Sequence, residues 1–480
     1  MAKQKNIINQ PHKEIFLYTP ASKLPDALNI WFCFPALYSI GMSSLGYLHI
    51  FRLMDENPKA NCQRVFTDTA DFSDPKGLDL IGFSSSFEFD FLNIFKMLEE
   101  FKIPLSAKDR EENCPLIFGG GIALSANPKP ISDIFDFILI GDGEEVINKI
   151  TDKLYEIRTL SRKEKLIELA KIEGIYVPGI NNCADVKKQT CRITNAVYTP
   201  IITADTLFDN MFVVEVTRGC PFQCNFCLAS HLNQPVRYAS YESIIEAINI
   251  GLEKTDKIGL LGALVPANPC FKEVCEYLYK LRDTKKFQIS ISSLRVDSID
   301  DLTVKTLVKC GQKSATIAIE AGSQRMRDLI NKNLKEEEIF NAIDIIYKNG
   351  LKAVKIYAII GFPEETQDDT EALITLMKNI KQRFKTLKLT LALNTFIPKR
   401  HTPFENTLPE NKKTLEKKLN LIKKEMHKLG IALRPSSINW DWFQYVISCA
   451  DERGSEFLKK TYSYGSNLGS FKKAYRDIYD

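Results

Sequence analysis

Three cysteines stand within eight residues in the stretch RGCPFQCNFC, at Cys220, Cys224 and Cys227. Thiolates so close in sequence converge when the chain wraps a common centre, and soft sulfur donors select zinc or an iron–sulfur cluster. A structural zinc site takes four protein ligands. No fourth Cys or His stands at a finger-like offset, and His231 is the only local candidate. Three thiols without a fourth suit a cubane cluster that leaves one iron corner open to a further ligand. The plain alternative is three buried cysteines that only pack.

These cysteines follow the apolar run MFVVEVT (211–217), and similar runs recur downstream: KIGLLGA (257–263), QISISS (288–293), ATIAIEAG (315–322), KAVKIYAIIG (352–361) and LKLTLALN (387–394). Amphipathic stretches separate them, such as EEEIFNAIDIIYKNG (336–350), in which Gly350 stands at a helix stop. Six β-α repeats predict a partial (β/α)6 barrel over 206–405, with functional groups at the C-terminal ends of its strands. Upstream, NIWFCFP (29–35), LDLIGFS (78–84), PLIFGGG (115–121) and DFILIGDG (136–143) are short apolar runs that close on prolines, glycines or small polar residues. Between them FDFLNIFKMLEEFK (89–102) has helical spacing. Together they predict a doubly wound, Rossmann-like α/β domain over 28–155. Residues 156–205 read as a connector, and 406–480 as a small helical extension with an aromatic segment around Trp440, Trp442, Phe443 and Tyr445. Within 411–429, Leu415, Leu419, Ile422, Met426 and Leu429 share one helical face, which leaves the seven lysines on a solvated face or on a patch for RNA or an acidic partner.

At about 150 residues per domain, 480 residues allow roughly three units. With 44% hydrophobic and 26% charged residues the chain is globular in composition, which excludes disordered and collagen-like classes. A net charge of +4 gives no whole-chain field toward nucleic acid or membrane. The longest apolar stretch, 30–42, is broken by Pro35 and falls short of the ~18 residues of a bilayer span. The leading residues MAKQKNIINQPHKEI are polar, without a secretory apolar segment. The twelve cysteines then read as cytosolic thiols, and the expected location is cytoplasmic.

The spacing CxxxCxΦC, with Phe226 as the aromatic, resembles the signature of the radical SAM (S-adenosylmethionine) superfamily. Similarity to one subgroup, with an N-terminal cobalamin (vitamin B12)-binding-like domain, runs through five further stretches. These are FGGGIALSANPKPISDIFDFILIGDGEE (118–145), SSLRVDS (292–298), IAIEAGSQRMRDLINK (317–332), KIYAIIGFPEET (355–366) and NTFIPKRHTPFE (394–405). The resemblance implies a 4Fe–4S cluster on Cys220, Cys224 and Cys227 whose open iron chelates the amino and carboxylate groups of S-adenosylmethionine. An electron from a partner such as ferredoxin or flavodoxin then breaks the sulfonium C–S bond, giving a 5′-deoxyadenosyl radical that acts on an unidentified substrate.

The same resemblance suggests the cofactor contacts. Gly262 and Ala263 stand where many relatives carry Gly-Gly-Glu for the amino group, so that contact falls to backbone carbonyls. Ser293 and Arg295 follow the third strand, and Arg295 would grip the methionine carboxylate bidentately. Glu320 and Ser323 follow the fourth; Glu320 would accept from the ribose or amino group, which also relieves the cost of an unpaired carboxylate ending an apolar strand. Gly361, in Ile360-Gly361-Phe362-Pro363-Glu364, resembles an adenine-facing element and would admit the ring close to the backbone. Lys399, Arg400 and His401 would face the barrel mouth, as substrate contacts or as a solvated loop.

In the N-terminal domain, Gly119 to Gly121 follow an apolar strand where open α/β sheets bind ligands, without forming GxGxxG. The cobalt-ligating Asp-x-His-x-x-Gly of many relatives is missing. Its place reads PALYSIGMSSLGYLHIF, and the helical spacing of His49 is that of a packed residue. Cobalamin would bind here without a protein axial ligand, or the domain keeps the fold without the cofactor. The leading expectation is C-methylation or a related radical modification. A second is RNA modification by methylthio transfer, which needs another cluster; Cys33, Cys62 and Cys114 are available for it. A third is a non-catalytic sensor or scaffold that keeps the cluster as a structural or redox element.

Overall fold

Six of the seven residues of Leu28–Phe34 (β1) are buried, a pattern that suits the middle of a parallel sheet covered on both faces. In the computed structural model, which describes residues 13–68, 75–208 and 210–480, this strand is flanked by Ala60–Phe66 (β2) and Leu80–Ser84 (β3). The helix Leu45–Asp55 (α1) connects β1 to β2, and Asp90–Glu100 (α2) connects β3 to Leu116–Gly120 (β4). Phe137–Leu139 (β5) and the antiparallel Ile175–Tyr176 (β6) complete the order β2-β1-β3-β4-β5-β6. Strand order reverses between β1 and β3, so their C-terminal ends form the topological switch point of a doubly wound sheet.

One row across this sheet shows how residue size sets its packing. Phe32, Gly82, Phe118 and Phe137 lie side by side on β1, β3, β4 and β5. The Phe32 and Phe118 rings lie 6.3 Å apart and nearly parallel, and Phe137 stacks on Phe118 at 5.4 Å. A Cβ at Gly82 would sit 2.2 Å from the Phe118 ring, so only glycine lets the stack cross β3. Strand β2 escaped the sequence reading because Asn61, Gln63 and Arg64 interrupt its apolar residues. The stretch read as a connector contains a helix, Arg162–Leu169, opened by a Ser161–Glu164 capping box. Arg162 and Arg110 both bind the buried Asp136 carboxylate, at 2.6 and 3.0 Å.

The chain folds as two compact units. The first comprises the residues up to Arg192, Thr199–Asn210 and Ala450–Asp480; the second comprises Ile193–Tyr198 and Met211–Cys449. The region read as one C-terminal extension is thus divided. Of its helices, Arg453–Ser463 and Leu468–Tyr479 belong to the first unit: Phe457 and Phe471 are fully buried, and Lys459 binds Ser106 at 2.8 Å and pairs with Asp133.

In the second unit the six expected strands form, as Phe212–Arg218 (β7), Lys257–Gly262 (β8), Gln288–Ile291 (β9), Ser314–Glu320 (β10), Ala353–Ile360 (β11) and Lys388–Thr395 (β12). A further parallel strand, Ala432–Pro435 (β13), adds to β12. It was illegible because its four residues are mostly exposed and end in proline. Strands β7-β8-β9 make one parallel run and β10-β11-β12-β13 another, linked by a parallel bridge between Leu294 and Ile317. Helix Glu336–Lys348, which lies between β10 and β11 in the chain, buries Ile339, Ile343 and Ile346, and Gly350 beyond it takes the left-handed φ of +89°. Helix Gln367–Arg383 follows β11, and Lys412–Lys428 follows β12.

The seven lysines of that last helix do not all face water. Lys418 is buried, with Nζ 3.1 Å from Glu365 and 2.9 Å from Glu410, because its stem follows the Leu415–Ile422 stripe inward. Among the described residues no helix is long and apolar enough to cross a membrane. The polar residues 1–12, read as lacking a secretory signal, lie outside the described residues.

Candidate active site

The cysteine loop begins where β7 ends. Gly219 turns the chain at φ +81°, and a Cβ there would lie 2.4 Å from the Asn233 carbonyl oxygen. Cys224 is buried, Cys220 and Cys227 are half-buried, and Cys227 is the N-cap of the short helix Leu228–Leu232. The loop closes on itself. Cys227 N–H donates to the Cys224 carbonyl at 3.0 Å, and Gln234 Nε2 donates to the Cys220 carbonyl at 2.7 Å. His231 Nε2 lies 3.1 Å from the Cys224 carbonyl oxygen, so that ring nitrogen braces the loop's backbone. Burial pushes the Cys220 and Cys224 thiols up; Lys332 and Arg295 act in the opposite direction on both.

A second segment holds this loop. Asn225 N–H donates to the Ile330 carbonyl at 2.9 Å and its Nδ2 to Leu329 at 2.8 Å, while Asn331 Nδ2 reaches back to the Gln223 carbonyl at 2.7 Å. Asn331 and Asn333 both take left-handed φ values, +54° and +50°, and so turn the chain on either side of Lys332. Lys332 Nζ lies 3.1 Å from Glu320 Oε1, with both side chains nearly buried. Glu320 is itself left-handed, at φ +65°, after a register shift in β10. Three non-glycine residues held in this region around one ion pair are backbone strain that the surrounding contacts must sustain. Behind them the fully buried Arg327 donates to the carbonyls of Ala321, Gly322 and Leu334.

The residues singled out in the sequence divide accordingly. Glu320 has a partner within the chain, Lys332, and is not the unpaired carboxylate expected. Arg295 departs from the expected bidentate clamp: its Nε binds Asp297 at 2.9 Å, one terminal nitrogen binds the Lys332 carbonyl at 2.5 Å, and its guanidinium lies 3.7 Å from the Phe222 ring centroid. Those bonds hold it against the cysteine loop instead. Ser323 is occupied as a helix cap, accepting from Met326 N–H at 3.2 Å and donating to Asp369 at 2.5 Å. Although burial works against it, Arg325, Ser323 and Thr366 hold the Asp369 carboxyl below the ordinary carboxylate range.

Phe226 packs 5.5 Å from Phe362, beside an apolar cluster of Ala321, Met326, Ile330 and Phe396. Gly361 has φ +84°, and a Cβ there would lie 2.7 Å from Leu415; its N–H donates to Glu365 at 2.5 Å. At Gly262 a Cβ would meet the Thr217 carbonyl at 2.8 Å; Ala263 beyond it is exposed, and Ser293 is half-buried. Lys399 and Arg400 are tied to Ser448 and to the Cys449 carbonyl, both at 2.8 Å, and His401 N–H donates to Glu405 at 2.9 Å. They stabilise a turn.

Sequence reasoning missed Lys332, Asn225 and Asn331. Lys332 closes the quoted stretch IAIEAGSQRMRDLINK, and its only local signal is a lysine set between two asparagines that tolerate left-handed backbone.

Comparison with known proteins gives the family of the chain. Residues 214–377 match the family model of the radical SAM superfamily, and residues 73–178 match that of radical SAM proteins, N-terminal. The chain belongs to the radical SAM superfamily. This radical SAM enzyme is 29% identical to the uncharacterized protein MJ0966 of Methanocaldococcus jannaschii over 93% of both chains. It is 24% identical to the uncharacterized methyltransferase PH0819 of Pyrococcus horikoshii, over 59% of this chain and 62% of that one. Its fold is similar to that of the cobalamin-dependent S-adenosylmethionine radical enzyme OxsB with aqua-cobalamin bound. The TM-score is 0.55 at 15% identity, over 86% of this chain and 59% of that chain. Membership brings a 4Fe–4S cluster and S-adenosylmethionine as cofactors, and with them the need for a substrate and a reductant.

Proposed function

We propose that the Cys220–Cys227 loop carries the cluster, that Glu320 and Lys332 receive the amino-acid end of S-adenosylmethionine, and that the enzyme modifies its substrate by methylation or a related radical reaction. The observation that carries this reading is the pinning of the three-thiol loop onto the segment whose Lys332 pairs with Glu320. The donor set fits the cluster: three sulfur ligands, one buried and two half-buried, with Arg295 and Lys332 near enough to offset thiolate charge.

When bound, the cluster and S-adenosylmethionine supply one electron and a 5′-deoxyadenosyl radical. The chain's own residues bind and orient. Glu320 and Lys332 neutralise each other in the free chain, and a zwitterion offers each a replacement partner, its ammonium for Glu320 and its carboxylate for Lys332. The close approach of Gly262 to Thr217 leaves the carbonyls at the end of β8, with Ala263 and Ser293, as neutral acceptors for the same end of the cofactor. Phe226 and Phe362 form an apolar wall beside the loop that would exclude water, and the backbone at Gly361 would border the adenine. A ferredoxin or flavodoxin is the proposed electron donor.

In the first unit the switch point fits a broad apolar ligand such as cobalamin. Leu37, Ile40 and Phe87 are exposed beyond β1 and β3, Gly121 packs against the Ser85 backbone, and the buried Ser85 Oγ lacks a hydrogen-bond partner among the described residues. The missing cobalt-ligating histidine means that cobalamin there would carry no axial ligand from the Asp-x-His-x-x-Gly position. The methylthio-transfer alternative has less support. Cys33 sits opposite Val65, three residues from Cys62, so the two thiols point to opposite faces of the sheet and cannot share a cluster.

Anaerobic purification with added cobalamin, an absorption spectrum and iron analysis test the reading. It expects about four irons per chain and, with a strong reductant, 5′-deoxyadenosine or S-adenosylhomocysteine. A full cluster that yields neither product refutes catalysis, and S-adenosylmethionine bound but never cleaved points to the sensor alternative.

A further inference from the structure

The sheet that ends at Glu320 has one face under helices and one face open. Along β11 burial alternates residue by residue: Val354, Ile356, Ala358 and Ile360 are buried, and Lys355, Tyr357 and Ile359 lie on the other face. Register carries that open face across four strands. Thr316, Lys355, Thr390 and Ala432 form one row, Ala318, Tyr357, Ala392 and Arg434 the next, and Ile359 lies beside Asn394 in the third. These rows contain no acidic residue, and the Glu320 carboxylate at the strand ends is taken by Lys332.

These rows nevertheless carry two cations. Lys355 Nζ donates to Tyr357 Oη at 2.8 Å and lies 4.5 Å from its ring centroid, and its ammonium has no carboxylate partner among the described residues. Arg434 is exposed and has no hydrogen-bond or ion-pair partner among the described residues. The two rows stand one side-chain step apart, and Arg434 is two strands from Tyr357, about 10 Å at the usual strand spacing. A half-buried lysine ordinarily pairs with a carboxylate. Here Tyr357 accepts from Lys355, so its own O–H is available to a third group.

We propose that this face is the substrate surface of the site, and that the substrate carries an anionic group, carboxylate or phosphate, held between Lys355 and Arg434 with Tyr357 as hydrogen-bond donor. The inference rests on the radical SAM reading and names the substrate class of that site. Thr390 and Asn394, on the same face, provide neutral polar contacts for the rest of the molecule.

The test is calorimetric titration of the full chain, reconstituted anaerobically and saturated with S-adenosylmethionine. The probes are succinate, inorganic pyrophosphate and, as an uncharged counterpart, 1,4-butanediol. At least one anion binds and the diol does not, and the stronger anion tells a carboxylate substrate from a phosphate one. Lys355→Met and Arg434→Met each weaken the anion at least about tenfold, the scale of a lost hydrogen bond to a charged group, and Lys355→Arg restores most of the affinity. Iron content and S-adenosylmethionine binding stay at wild-type levels in all three variants. Anion binding no better than the diol's, or unchanged by both methionine substitutions, overturns this inference alone. Wild-type protein that takes up neither iron nor S-adenosylmethionine overturns the cofactor reading and this inference with it.

Discussion

Replacing Lys332 by Met strands the carboxylate of Glu320 in a nearly buried site. The two charges lie 3.1 Å apart, and at an effective dielectric near 20 their attraction is about 5 kcal/mol. Removing one member of such a pair costs about 3–5 kcal/mol, because the other is left buried and uncompensated. Glu320→Gln should cost a similar amount for the opposite reason. Lys332→Met combined with Glu320→Gln removes both charges, and the double variant should be more stable than the sum of the single losses by about 2 kcal/mol or more. Guanidinium unfolding of the cluster-free chain measures this, in a Trp31→Phe background so that Trp440 and Trp442 report the second unit. The same double variant should bind S-adenosylmethionine poorly despite its recovered stability, since a zwitterion then finds no ionic partner. Strictly additive losses would falsify the buried-pair account, and undiminished cofactor binding would remove the pair from the site.

Further outcomes follow from neighbouring contacts. Cys224→Ala should abolish iron binding while the first unit keeps its cooperative unfolding, because the three thiolates act as one site; normal iron content would count against the assignment. Asn331→Asp keeps a residue that tolerates left-handed backbone but turns a donor toward the Gln223 carbonyl into an acceptor. It should weaken S-adenosylmethionine by about fivefold with iron content intact, whereas Asn331→Gly, which removes the bond without repulsion, should do less harm. Asp369→Asn should destabilise the second unit at neutral pH. The native carboxyl titrates below its unfolded value, so its contribution is present above about pH 4 and fades as pH falls further. The gap between wild type and variant should close in acid, and a gap that widens there contradicts the sign.

The sequence made the strands of both units legible wherever apolar residues dominate a run with at most one polar interruption, as in LNIWFCF, which forms β1, and AVKIYAII, which forms β11. It concealed β2, where Asn61, Gln63 and Arg64 break up the buried Ala60, Cys62, Val65 and Phe66, and β13, whose mostly exposed residues at a sheet edge carry no apolar signature. For the site, cysteine spacing was legible because ligand chemistry constrains residue type and separation together. Lys332 and Lys418 were not, since a buried lysine differs from a solvated one only in what lies opposite it, and that depends on segments far away in the chain. Arg295 was legible as a cation beside the site but not as a residue already committed to Asp297, to the Lys332 carbonyl and to the Phe222 ring.

The first unit is discontinuous in sequence, for it includes residues 450–480 as well as the chain up to Arg192. During synthesis the parallel sheet emerges early, while the partners of Phe89, Phe95 and Asp133, namely Phe471, Tyr462 and Lys459, leave the ribosome only after the second unit. The nascent sheet therefore waits, with part of its hydrophobic surface uncovered, until translation of the whole second unit is finished. A stop codon or frameshift near position 450 would spare every residue of the cysteine loop and still leave a polypeptide prone to aggregate.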